Sequence, residues 1–214
     1  MSERRLPVYL VLDCSGSMAG DPIEAVRAGM KALVADLRGD PQAVETAYLS
    51  VITFSSSAQQ VCPLTELLAF QEPNLDASGS TAFGAALSLL EQRADSEVRK
   101  TTEQQKGDWK PLVFIMTDGQ PTDTWEAAAD RIKQKQKSFG RIIACAAGSG
   151  ADSQLLKRVT GDVVQLNSLQ PEALKQFFQW VSSSIKTTSY SLDQVVADAP
   201  VTLPPPPPQV VVVP

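Results

Sequence analysis

The chain has 214 residues, 43% of them hydrophobic and 20% charged, with a net charge of −5. That is enough apolar material for one large domain with a full core, and the wrong sign for a nucleic-acid-binding surface. It contains no histidine, which excludes Ser-His-Asp and Cys-His nucleophile chemistry and imidazole-ligated zinc, iron or copper.

The first apolar run, within "LPVYLVLD", reads as a buried strand over Val8–Leu12. It is short, interrupted by Pro7 and ends on Asp13, so it does not read as a signal peptide. After "DCSGS", Asp21-Pro22-Ile23-Glu24 combines a capping Asp, a proline in the first turn and a Glu three residues after the cap. Ile23, Val26, Met30, Leu33, Val34 and Leu37 then recur at helical spacing. Ala47–Phe54 is a second strand, and Gln60–Leu64, after the turn "SSSA", is an antiparallel edge strand. The loop "DASGSTAFG" carries Thr81 into a helix over Phe83–Arg99. Leu112–Thr117 is a strand apolar on both faces, as in the middle of a parallel sheet. It ends in "TDGQPTD", where Asp123 is expected to cap a helix over Trp125–Lys137. Ile142–Ala146 and Val163–Leu166 are further strands, with a "GSG" turn and a helix over Ser153–Val159 between them. The last helix carries Leu174, Phe177, Phe178, Val181 and Ile185 on one stripe. Beyond Thr187 the periodicity fades, and Pro204–Pro208 takes the polyproline II conformation. The reading is therefore one domain over residues 1–187 and a Pro-rich tail over 188–214. The fold class is an α/β/α three-layer sandwich, its central sheet mostly parallel with one antiparallel edge strand.

In such sheets ligands sit beyond the carboxyl ends of the strands. Asp13, Ser15 and Ser17 follow the first strand, Asp118 follows a central one, and the Thr81 loop enters its helix at the same edge. Two carboxylates and three hydroxyls suit a hard cation: magnesium takes about six oxygen ligands and usually keeps several waters. Two blander readings compete: Ser15 or Ser17 as helix caps, and Asp13 as a phosphatase nucleophile. Asp21 already serves the first helix, and Ser15 stands where aspartate-nucleophile phosphatases place their second Asp.

Asp-x-Ser-x-Ser after the first strand, a later Thr81 and Thr117-Asp118-Gly119 after a central strand together resemble the metal-ion-dependent adhesion site of von Willebrand factor A domains. The resemblance spans residues 6–187. It implies a Rossmann-like fold and Mg2+, with Mn2+ or Ca2+ as alternatives, held by Ser15, Ser17 and Thr81 with Asp13 and Asp118 close by. It also implies a protein partner that donates an Asp or Glu to the ion, and binding in place of catalysis. The form "DCSGSMAGDPI" with "TDGQPTD" is similar to stand-alone bacterial members associated with tellurium resistance. Those are linked to stress response and to kinase- or phosphatase-like partners. Three widely spaced cysteines without a CxxC pair fit a cytoplasmic location, and no apolar stretch is long enough for a membrane helix. The remaining alternatives are a Mg2+-dependent hydrolase built on Asp13 and a scaffold that acts through its tail. Removing Asp13 is expected to leave the fold intact and to relieve repulsion between acidic groups.

Overall fold

The computed structural model describes residues 4–194 and 201–214. Its sheet has strands β1 (Leu6–Asp13), β2 (Ala47–Phe54), β3 (Ala58–Glu66), β4 (Leu112–Thr117), β5 (Arg141–Ala147), β6 (Asp162–Leu166) and β7 (Val210–Val212). They lie in the order β3-β2-β1-β4-β5-β6-β7. The five inner strands are parallel, and β3 and β7 run antiparallel on the two edges. The helices are α1 (Asp21–Arg38), α2 (Pro41–Thr46), α3 (Phe83–Glu97), α4 (Glu126–Gln134), α5 (Ser153–Leu156) and α6 (Pro171–Gln194).

Every residue of β1 is buried, because both faces of a parallel sheet are covered by crossover helices. Its side chains divide by parity. Val8, Leu10 and Leu12 join Met30, Leu33, Phe177 and Phe178 of α1 and α6 in one core, whereas Tyr9 and Val11 join Leu87, Leu90 and Ile132 of α3 and α4 in the other. α1 leaves β1 over one face and α3 enters β4 over the opposite face. The carboxyl ends of β1 and β4, neighbours in register from Val8↔Leu112 to Leu12↔Met116, therefore flank a topological switch point, where the diverging connections leave a crevice.

The strands expected from the sequence are all present, each extended by at most a few residues. The helices α4 and α5 end earlier than expected and α2 is additional, and three further features differ. The residue that caps α1 is Gly20, at φ 84°, and Asp21 is the first helical residue. Ser15 and Ser17 still cap nothing: the 3-10 turn Gly16–Met18 that begins after Ser15 has no side-chain cap bond. Second, the boundary expected near Thr187 falls inside α6, which runs on to Gln194. Its last turns are rich in hydroxyls that carry no apolar rhythm. Ser184, Thr188 and Ser191 each donate to the carbonyl one turn back, while Ser189 meets Thr46 and Ser182 donates to Asp36. Polar side chains satisfied in this way can be buried on a helix face.

Third, within the segment expected to be a separate tail, residues 201–214 lie against the domain, while residues 195–200 are outside the described residues. Arg141 donates to the Val201 carbonyl and Trp180 Nε1 to the Pro204 carbonyl, at 2.8 and 2.9 Å. Thr202, Pro205 and Pro208 are exposed while the residues between them are half-buried, the three-residue period of polyproline II packed along one face. The chain then forms β7 on β6, with Val210 buried against the core. The sheet thus has a second antiparallel edge, supplied by the tail.

Candidate metal centre

Two loops are stitched together at the switch point. Gly16 N donates to Gly79 O at 3.0 Å, and Ser78 N to Cys14 O at 2.9 Å. Gly79 lies at φ 76°, and a Cβ there would come 2.3 Å from Ser56 Oγ. A side chain would be strained and without room at that point. Arg27 of α1 holds the outer part of the same loop through the Leu75 carbonyl and Asp76.

Asp13 is fully buried. Its Oδ1 accepts from Ser15 N at 2.8 Å and its Oδ2 from Thr117 Oγ1 at 2.6 Å. Ser15 Oγ and Ser17 Oγ lie 3.0 Å apart, and Ser17 Oγ donates to Asp118 Oδ1 at 2.8 Å. Ser15, Thr81 and Asp118 are buried, whereas Ser17 is exposed. Gly119 locates the third hydroxyl: a Cβ at that residue would stand 3.6 Å from Thr81 Oγ1 and 4.0 Å from Ser17 Oγ. All five residues singled out in the sequence therefore meet at one end of the sheet.

Burial pushes the Asp118 carboxyl up from its ordinary range, and the neighbouring Asp13 charge adds to this; the Ser17 hydrogen bond opposes it. None of these influences is cationic. Acidic groups gathered with hydroxyls in a buried crevice form an oxygen-only donor set, suited to a hard divalent cation and unsuited to soft metals. Among the described residues no group of three or more His, Cys, Asp or Glu is placed to hold an ion. A cation here would need the three hydroxyls as well as the two carboxylates, and the donor set fits that requirement.

A profile of the von Willebrand factor type A domain matches residues 8–180. The chain belongs to this family. A von Willebrand factor A domain structure from Catenulispora acidiphila has a TM-score of 0.65 at 18% identity, covering 86% of this chain and 43% of that one. The mussel byssus protein proximal thread matrix protein 1, solved with a zinc-occupied metal-ion-dependent adhesion site, has a TM-score of 0.59 at 19% identity, covering 85% and 48%. These likenesses show the fold. An uncharacterized protein of Synechocystis is 34% identical over 125 residues, 55% of this chain and 26% of that protein. The chain thus spans about a quarter of that relative and less than half of either solved structure.

Several contacts at the site were not anticipated. Thr117 closes the Asp13 carboxylate from behind; its signal was its place directly before Asp118 at a strand end. Asp123 does not cap α4, whose first-turn residues receive no side-chain cap. It caps α3, its Oδ1 accepting from Gly84 N and its Oδ2 from Ala85 N, both at 2.9 Å. Sequence proximity favoured the wrong helix, since the N-terminus of α3 lies beside this loop only in the fold. Thr122 also reaches across, its Oγ1 accepting from Thr81 N at 3.0 Å. Cys14 is buried, its thiol pushed up to about 12 first by desolvation and then by Asp13, which fits a packed and unreactive side chain. Lys135, directly after α4, pairs with Glu91 and Asp95, Lys133 and Lys137 are exposed, and Gly148–Gly150 forms the expected turn. No helix among the described residues is long and apolar enough to cross a membrane.

Proposed function

We propose that the chain is a metal-dependent protein-recruiting module and not an enzyme. Ser15, Ser17 and Thr81 would hold Mg2+, or Mn2+ or Ca2+, through their hydroxyls, and Asp13 and Asp118 would balance its charge. The bound ion would supply a positive centre for an Asp or Glu side chain of a protein partner. The observation that carries this reading is the convergence of three hydroxyls and two carboxylates from three loops at the switch point between β1 and β4. The mussel relative with zinc in its adhesion site supports a divalent ion in the corresponding place.

The geometry of Asp13 supports binding over turnover. It is fully buried and both oxygens already accept hydrogen bonds, whereas a nucleophilic carboxylate must present a free oxygen to substrate. The proposed setting is a cytoplasmic stress-response assembly of the tellurium-resistance type, with kinase- or phosphatase-like partners. It rests on the sequence resemblance, and on the absence of CxxC pairing and of a membrane-length helix among the described residues. The tail has a supporting part, since it is packed on α6 and β6.

The experiment is capture of partners from a source lysate on the tagged chain, in Mg2+ or in chelator, with wild type beside Asp13→Asn. A protein retained only by wild type and only with Mg2+ is the expected result. Identical proteins in every lane would refute the metal bridge, and a captured partner lacking any essential acidic residue would refute the bridging carboxylate.

A further inference from the structure

We infer that Thr122 and Asp123 are positioning residues for the metal site, setting the place of Thr81 from the loop that carries Asp118. The inference rests on the functional reading above and extends it to two side chains that would not touch the ion.

Three independent contacts join the loop after β4 to the loop before α3. Thr81 N donates to Thr122 Oγ1 at 3.0 Å, and Thr122 N donates back to Thr81 O at 2.9 Å, a reciprocal pair closed on the backbone of the candidate ligand itself. The Asp123 carboxylate takes the Gly84 and Ala85 amides, one per oxygen. A carboxylate on those amides satisfies two otherwise unpaired helix donors and meets the positive end of the helix dipole. Finally, Gly84 brings the α3 backbone onto the Thr124 carbonyl so closely that a Cβ there would lie 2.4 Å from it. On its other side the Thr81 segment is held by Ala82 N to Ser55 O, at 2.7 Å, and Ser80 N to Ser56 Oγ, at 3.2 Å.

The consequence is geometric. Thr81 and Asp118 come from loops 37 residues apart in sequence, yet Thr122 and Asp123, four and five residues after Asp118, clamp Thr81 and the first turn of α3. The third hydroxyl is therefore placed relative to the second carboxylate before any ion arrives. Donors held in this way lose less freedom on coordination, and side chains that orient ligands typically control metal affinity by about 10–100-fold.

The test uses the full chain and Mn2+ alone, with binding read from the loss of the free-ion paramagnetic resonance signal. Each variant is paired with its unfolding temperature in chelator. Thr122→Val removes the acceptor for Thr81 N and should weaken Mn2+ binding on the order of tenfold, whereas Thr122→Ser, which keeps the oxygen, should restore it. Asp123→Ala should weaken binding likewise. Asp40→Ala serves as the control, because Asp40 accepts from Ala43 N at the start of α2, at the opposite end of the sheet. It should lower the unfolding temperature and leave Mn2+ affinity unchanged. If wild type binds Mn2+ and Thr122→Val and Asp123→Ala bind it equally well, the positioning role is wrong and the metal reading stands. If wild type binds no Mn2+, both fall.

Discussion

Asp13→Ala separates two opposite expectations for the protein without metal. Read from sequence, losing one of two neighbouring acids relieves repulsion and stabilises. The structure reverses the sign. Asp13 accepts from Ser15 N and Thr117 Oγ1 inside a fully buried pocket, and each buried donor left without an acceptor costs about 1–3 kcal/mol. Thr117 has a weaker fallback in the Gly119 carbonyl at 3.5 Å, which places its cost at the low end. The opposing gain is small. Asp13 acts on Asp118 less than burial does and less than the Ser17 hydrogen bond does, so its relief is below one hydrogen bond, about 1 kcal/mol. The net loss is about 2 kcal/mol, and in a domain of this size that lowers the unfolding temperature by about 4–8 °C. Asp13→Asn behaves differently. Its carbonyl oxygen still serves Ser15 N, and its amide donates to a Thr117 hydroxyl turned to accept. The Asn variant should therefore unfold within about 2 °C of wild type. Both variants should lose Mn2+ binding. Thermal unfolding in chelator and Mn2+ titration of the three proteins provide the comparison. If Asp13→Ala unfolds at or above the wild-type temperature, repulsion dominates and the hydrogen-bond argument is wrong.

Three further outcomes are expected. Trp180→Phe removes the bond to the Pro204 carbonyl and should cost about 1 kcal/mol; amide exchange at Val213, which donates to Val163 O, should speed up while that of Leu10 does not, and unchanged exchange at Val213 would mean that the indole does not hold the tail. Gly29→Ala would set a Cβ 2.3 Å from Phe178 Cδ2, an overpacking worth about 1–3 kcal/mol, so urea unfolding should shift to lower denaturant and Phe178→Leu should restore it. An unshifted midpoint in the single variant would show that α1 and α6 part freely. The Lys135 hydrogen bond holds Glu91 below the usual carboxylate range, with desolvation opposing and Arg131 reinforcing. Stability from this group is thus present above the ordinary carboxyl value of about 4.3 and is lost as pH falls through the lower folded value. The gap in unfolding temperature between wild type and Glu91→Gln should close below about pH 4; a gap constant from neutral pH to pH 3 would refute the pairing.

Much of this protein was legible without coordinates because its signals are local. Both-face apolar runs such as Leu112–Thr117 read as inner strands, and Ile23 to Leu37 read as a one-faced helix, since those patterns follow from the periods of strand and helix. Alternation of the two implied the sandwich, and the sandwich put Asp13, Ser15, Ser17, Thr81 and Asp118 at one edge. Even α2, passed over, had a local sign in Asp40-Pro41, where the Asp40 side chain accepts from Ala43 N.

What the tertiary structure alone decided are the partners of side chains whose own neighbourhood offered a plausible alternative. Asp123 stands just before α4 and would suit its first turn, yet caps α3, because the loop after β4 packs on the helix entering from the other side of the crevice. The hydroxyl-rich end of α6 has no apolar stripe to announce it, and is helical because its hydroxyls find carbonyls one turn back or partners on α1 and α2. The valines near the end of the chain look like any short apolar run until β6 offers them an unpaired edge. A hydrogen bond between residues distant in sequence carries no periodicity. It is set only when the fold brings the donor and acceptor together.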